Sequence, residues 1–309
     1  MPIKGKLKDI WEVSKSTLKK FSEDNAIYYS ASLSYYTLFS LPPIIIIIIT
    51  VAGAFLGDET ISKEIYENME ESLGHDATEQ IKVVVENTQK SSSSFLAKIV
   101  GVATLIFAST GIFTAVQNTL NIIWEVKARP KNNILKFLKD RLFSFLLIIL
   151  LALILFSSTL IQTVLIAGLQ YFESHLPHIT VILIQLVNFI IPLAVLTVFF
   201  GMIFRYLPDV KIQWKDVWTG AFITAILFTL GKFFIGLYLG HTNLGSAYGA
   251  AGAVIVMLVW VFYSSTLIFL GAEFTHEYAK KYGRRIRPAD YAVRVRRKFL
   301  DKDEPDIEG

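Results

Sequence analysis

A chain of 309 residues that is 53% hydrophobic and 18% charged carries too little charge for a soluble domain of its size, where about 25% is usual. Its formal net charge is +4, its mean hydropathy is +0.50, and long charge-free stretches alternate with charge-dense ones, a pattern that predicts several membrane spans. The lack of cysteine excludes disulfides, thiolate-bound zinc and thiol catalysis.

In chain order, residues 1–26 mix Lys, Glu and Ser around no short apolar core and no small-residue cleavage site. No removable signal peptide is expected, and the segment reads as a cytoplasmic N-terminus. Six segments then reach the ~20 residues needed to cross a hydrocarbon core, at 27–56, 97–124, 142–170, 179–206, 216–240 and 246–273. In lipid every backbone polar group must be paired internally, so these segments are expected to be helices. The first is unusual, because "SYYTLFSLPP" runs straight into "IIIIII". The stretch after the prolines is too short to cross alone, so Pro42 and Pro43 are expected to kink a single span. Its isoleucine half is expected to face lipid.

The connection at 57–94 is acidic and reads as helical, with Ile61, Ile65, Met69 and Leu73 forming one narrow apolar stripe. It is expected either to cap the bundle or to act as a lid. Of the 30 Lys and Arg residues, 25 lie on the side of the termini and three on the side of this loop. That asymmetry orients both termini to the cytoplasm. The expected architecture is an all-α integral membrane protein: a bundle of six transmembrane helices over 27–273, with a helical outer loop. A basic cytoplasmic tail at 274–309 has an acidic end, "DKDEPDIEG", that is expected to be disordered. Its basic part, "KKYGRRIRPADYAVRVRRKFL", suits anionic lipid headgroups, at about 1 kcal/mol per basic residue. Nucleic-acid binding is the weaker reading of this run.

Polar residues inside the spans are the candidate pathway. Thr110, Thr114, Gln117, Asn118 and Asn121 fall within a sector of about 100° on the second span, and Glu125 continues it. Ser30, Ser34 and Thr37 align on the first span, as do Gln185, Asn188 and Pro192 on the fourth. Such faces are expected to point away from lipid, either into a polar cavity or into interhelical hydrogen bonds worth ~1 kcal/mol each. Lys232 is a charge well inside a span, where it costs ~2.5 kcal/mol or more unless it pairs, lines a path or snorkels. With Lys98 at the outer start of the second span, it is a candidate site for an anionic headgroup. Neither a hydrolase motif, a phosphate-binding loop nor a clustered metal-ligand set occurs. No enzymatic activity, metal or cofactor is therefore expected, and no particular protein partner is marked.

Several blocks together resemble the YihY/BrkB family of bacterial inner-membrane proteins, historically labelled ribonuclease BN. They are "NAIYYSASLSYYTLFSLPP" (25–43), "ASTGIFTAVQNTLNIIWEV" (108–126), "RYLPD" (205–209), "WTGAFITAILF" (218–228) and "YGAAGAVIVMLVWVFYSSTLIFLGAEFTHEY" (248–278). The resemblance implies a six-helix protein of the cytoplasmic membrane, linked by its virulence label to envelope integrity. It marks Asn25, Pro43, Asn118, Trp124, Tyr248, Gly249, Gly271 and Glu273 as motif positions. Three functional readings follow. One is a transporter or flippase-like protein for a lipid or amphipathic anion. The second is a non-transporting scaffold that recruits partners, and the third is the ribonuclease of the old label.

Overall fold

The computed structural model describes residues 3–90, 111–172, 177–241, 251–282 and 286–295. The described residues are helical apart from short strands and turns. Before the first long apolar helix comes α1 (Ile3–Glu23), and α2 (Ala26–Leu56) follows it. A hairpin of α3 (Asp58–Leu73) and α4 (His75–Lys90) comes next. The described part of α5 spans 111–123. Then come β1 (Val126–Ala128), α6 (Asn133–Phe172), α7 (Pro177–Tyr206), β2 (Val210–Lys211) and α8 (Trp214–His241). The chain continues with α9 (Gly252–Lys281), β3 (Arg287–Pro288) and β4 (Ala292–Arg294). Four described helices are long and apolar enough to cross a membrane, over Ala26–Thr50, Ile182–Tyr206, Trp214–Tyr238 and Val254–Lys281. Lys98 and Thr110 lie outside the described residues, as do the motif positions Tyr248 and Gly249 and the acidic end of the tail.

The N-terminal segment is an amphipathic helix docked on the end of α9, where Lys281 meets Asp9 at 2.9 Å and Glu12 at 2.8 Å. It breaks from α2 at Asn25, whose left-handed φ of 56° is a conformation that asparagine tolerates better than most side chains.

The isoleucine run corrects the sequence reading. All six isoleucines are buried, and the helix continues through Pro42 and Pro43 without a break. Ile44, Ile47 and Ile48 share one core with Leu33, Phe113 and Leu120, whereas Ile45, Ile46 and Ile49 share another with Ile61, Ile81, Val85, Met257 and Val261. The division follows the helical period: opposite sides of α2 enter different cores. Lipid is excluded because the α3–α4 hairpin folds against α2, with Ile61, Ile65 and Met69 of the expected stripe meeting the isoleucines. The hairpin is a packed cap.

Two apposed glycine–threonine pairs lock α8 to α9. A Cβ on Gly220 would fall on Thr275 Oγ1, and one on Gly271 would fall on Thr224 Oγ1. Each threonine is satisfied within its own helix, Thr224 donating to the Gly220 carbonyl and Thr275 to that of Gly271, both at 2.7 Å. The missing side chains let the two backbones approach closely, as small residues do at membrane helix interfaces. Gly271→Ala or Gly220→Ala is therefore expected to cost about 1–3 kcal/mol through overpacking, read as a lower thermal midpoint in detergent. Gly236→Ala, where a Cβ meets nothing within 4 Å, should leave the midpoint unchanged or raise it.

Candidate functional site

The polar face of α5 reaches a cavity of about 1120 Å³ at the end of the bundle where α1 meets α9. Thr114, Gln117, Asn118, Asn121 and Glu125 all line it, joined by Asp24, Lys136, Asp209, His276 and Arg294. The helical period of the sequence thus brings together five of the predicted residues. They differ in what they do. Gln117 and Asn121 are buried, while Asn118 is exposed to the cavity and Thr114 is half-buried.

Asp209, at the end of "RYLPD", is the hub beneath this wall and is 3% exposed. Its Oδ2 accepts from Asn121 Nδ2 at 2.8 Å. Its Oδ1 accepts from Lys136 Nζ at 2.9 Å, Tyr291 OH at 3.0 Å and Gln117 Nε2 at 3.4 Å. The Asp209 backbone N–H donates to Asn121 Oδ1 at 2.8 Å, and its carbonyl accepts from Ala289 N–H at 2.9 Å. A buried carboxylate is tolerated only with such a full set of donors. Lys136 also holds Asp140 at 2.7 Å and lies 4.8 Å from the centroid of the Tyr291 ring.

This hub fastens the segment after α9 to the bundle. β4 pairs antiparallel with β1, and β3 with β2. Arg129 N–H donates to the Tyr291 carbonyl, and Val295 N–H to that of Glu125, each at 2.8 Å. Residues 286–295, part of the expected basic tail, are a strap stitched across two loops. The bonds that decide this run to backbone groups distant in sequence, which local composition does not report.

Electrostatics follow the geometry. Burial lowers the Lys136 pKa, but the flanking Asp140 and Asp209 carboxylates outweigh it and raise the value overall. Burial and then Asp209 push the Tyr291 phenol up to about 12. Around Lys20 the burial penalty is likewise outweighed, by Asp24, Glu125 and Glu23, so its pKa also rises. Lys20 meets Glu125 at 3.7 Å, and Glu125 has a left-handed φ of 52° just beyond α5.

The other predicted residues lie elsewhere. Ser34 and Thr37 are buried and donate to carbonyls of their own helix, at Ser30 and Leu33. Gln185 and Asn188 are exposed on α7, which corrects the expectation of an inward face: the half of α7 that carries them presents Ile182, Leu186 and Phe189 outwards as well. Lys232 is half-buried on α8 and does not line the cavity. Asn25 and Trp124 lie at helix ends, Trp124 deep in the main core. Pro43 is half-buried within α2, and Glu273 is fully buried on α9. The sequence reading missed Asp209, Lys136 and Tyr291. Only the "RYLPD" block pointed to Asp209, and nothing local pointed to its partners.

The sequence model of the family described as "Virulence factor BrkB" matches residues 17–294, which takes in α5, the Asp209 hub and the strap. The chain belongs to the BrkB family. Curated relatives are named UPF0761 membrane protein. One from Aeromonas salmonicida (strain A449) is 27% identical over 265 residues, covering 83% of this chain and 85% of its own. One from Alteromonas mediterranea is 25% identical over 263 residues, covering 84% of each. One from Pseudoalteromonas atlantica is 25% identical over 262 residues, covering 82% of this chain and 81% of its own. No solved structure matches.

In this BrkB chain the strap should loosen in alkali. A tyrosine whose folded pKa lies above its ordinary value stabilises the docked state fully below about pH 10, and that contribution fades as pH rises through about 12. Raised Lys136 adds to it in the same direction. The difference in tyrosinate absorbance between wild type and Tyr291→Phe should show a late-titrating phenol that moves back towards pH 10 in Asp209→Asn. A phenol that titrates near pH 10 in the wild type would refute the coupling.

Proposed function

We propose that this membrane protein is a multi-pass transporter or flippase-like protein of a bacterial cytoplasmic membrane. In this reading it moves a lipid or other amphipathic anion and thereby supports envelope integrity. One observation carries the reading: the polar face of α5 lines a cavity of about 1120 Å³ rather than being consumed by helix contacts. A cavity among apolar helices, walled by amides and by charges of both signs, can hold a polar headgroup while acyl chains stay in lipid. Lys127 and Arg294 stand exposed on its wall, where they favour an anionic group over a neutral one.

The same reading has the chain cross six times with both termini cytoplasmic. It rests on the basic residues crowded at the cavity end and on α6, which is 40 residues long and free of charge from Leu142 to Phe172. Aromatic residues support the depth of the site. Tyr206 meets Trp214 edge-on and Trp214 stacks on Trp218, with ring centroids 5.7 Å apart at each step, and all three are exposed. Such rings settle at a membrane–water boundary, which supports a position of the Asp209 loop beside it.

The scaffold reading has one observation of its own. Gln117 and Asn121 spend their amides on Asp209, while Asn118 is the amide of this face that stands exposed to the cavity. A hydrolytic reading needs a ligand cluster, and no group of three His, Asp or Glu among the described residues is placed to hold a metal.

Asn118 separates transport from scaffold. In proteoliposomes containing a labelled anionic phospholipid, the purified protein should speed transbilayer movement, and Asn118→Leu should slow it about tenfold, the loss expected from one hydrogen bond of ~1.4 kcal/mol. No protein-dependent movement of lipids or amphipathic anions would leave the scaffold. Sidedness is testable because the chain has no cysteine. Lys127→Cys should react with an impermeant thiol reagent only from the cytoplasmic side, and Lys63→Cys only from the other.

A further inference from the structure

Behind the α1 wall of the cavity lies a second group of polar side chains. Glu273 is fully buried on α9, and neither of its carboxyl oxygens receives a hydrogen bond. The charged groups acting on it are, in order, Asp24 at the end of α1, Glu277 one turn on, and Lys20. Asp24 is itself 8% exposed and Glu277 7%. Glu277 is already satisfied by Ser16 Oγ and by Lys280 at 3.4 Å. Lys20 is shared with Glu23 at 3.5 Å and Glu125 at 3.7 Å. His276, 5% exposed, also has a buried ring nitrogen, Nδ1, without a partner. It lines the cavity, as does Asp24, and the charges that reach it are Glu277, Glu125, Lys280 and Lys20.

Glu277 has Ser16 and Lys280 of its own, but Glu273 and Asp24 are buried close together near the shared Lys20, and the two cannot both be ionised without a severe desolvation penalty. A carboxyl that holds a proton changes the balance, because it becomes a donor and can satisfy a neighbouring carboxylate. We propose that Glu273 and Asp24 form a proton-binding site at the cavity wall, Asp24 on its surface and Glu273 behind it. Glu273 carries the proton and Asp24 accepts its hydrogen bond. The proton comes from, and returns to, cavity water by way of Asp24 and His276. A multidentate cation is the poorer occupant, since no triad of His, Asp and Glu among the described residues has metal-binding geometry. Use of the site to couple transport to a proton gradient rests on the transporter reading; the site itself does not.

Infrared spectroscopy of the purified full chain in lipid nanodiscs tests it directly. The wild type at neutral pH should show the C=O stretch of a protonated carboxyl, shifted in D₂O. Glu273→Gln should abolish the band, Asp24→Asn should shift its frequency, and Glu277→Gln should leave it in place. If one of the first two variants fails to fold, the other decides. A wild-type spectrum without the band, a band indifferent to both substitutions, or a band removed by sodium at constant pH overturns the proposal. In proteoliposomes, an imposed proton gradient should accelerate wild-type movement and have no effect on that of Glu273→Gln. The band together with absent movement would sink the transport reading and leave the proton site standing.

Discussion

A buried carboxylate governs this end of the molecule. Asp209 lies on a short connection between two long apolar helices, and its charge is tolerable only while donors from elsewhere converge on it. They come from three parts of the chain: α5 through Gln117 and Asn121, the start of α6 through Lys136, and the strap through Tyr291. Removing any one leaves the others facing an under-satisfied charge. The hub therefore sets the relative positions of α5, α6 and the strap, and with them the walls of the cavity. Breaking a buried ion pair such as Lys136–Asp209 by removing one partner usually costs about 3–5 kcal/mol.

Between the long helices the constraint is shape. Glycine against threonine brings α8 and α9 together, and the isoleucines of α2 fill the space between two cores. These contacts satisfy no charge. The molecule thus divides its work: the helix interfaces are apolar and closely packed, while the end that carries Asp209 is also polar, hydrogen-bonded and hollow. A cavity survives at the polar end because its walls are held by directional bonds, which fix positions without filling volume.

That division also explains what could be read beforehand. The spacing of Thr114, Gln117, Asn118 and Asn121 and the stripe on α3 are periodic signals, and each reappears as a shared face among the described residues. The isoleucine run misled because hydrophobicity alone does not distinguish lipid from protein as neighbour; only the folded-over hairpin decides it. Gln185 and Asn188 misled in the opposite sense, since their alignment defines a face without saying what covers it. Lys136, Tyr291 and Asp209 are 73 or more residues apart along the chain wherever Asp209 is one of the pair. Pairings of that kind have no periodic signature.

Among the described residues, two that are not glycine stand on left-handed backbone. Asn25 ends α1 and Glu125 follows α5, so each non-helical turn falls where a polar helix end meets the cavity. Asparagine adopts this conformation at little cost, whereas glutamate is held there against a strain of order 1 kcal/mol. What holds Glu125 is visible: its carbonyl accepts the Val295 N–H of the strap, and its carboxylate pairs with Lys20. Lys20 in turn belongs to the charges around Asp24 and Glu273. Glu125 therefore links the strap to the buried acids across the cavity mouth, so a change in charge on one side bears on the turn that anchors the other.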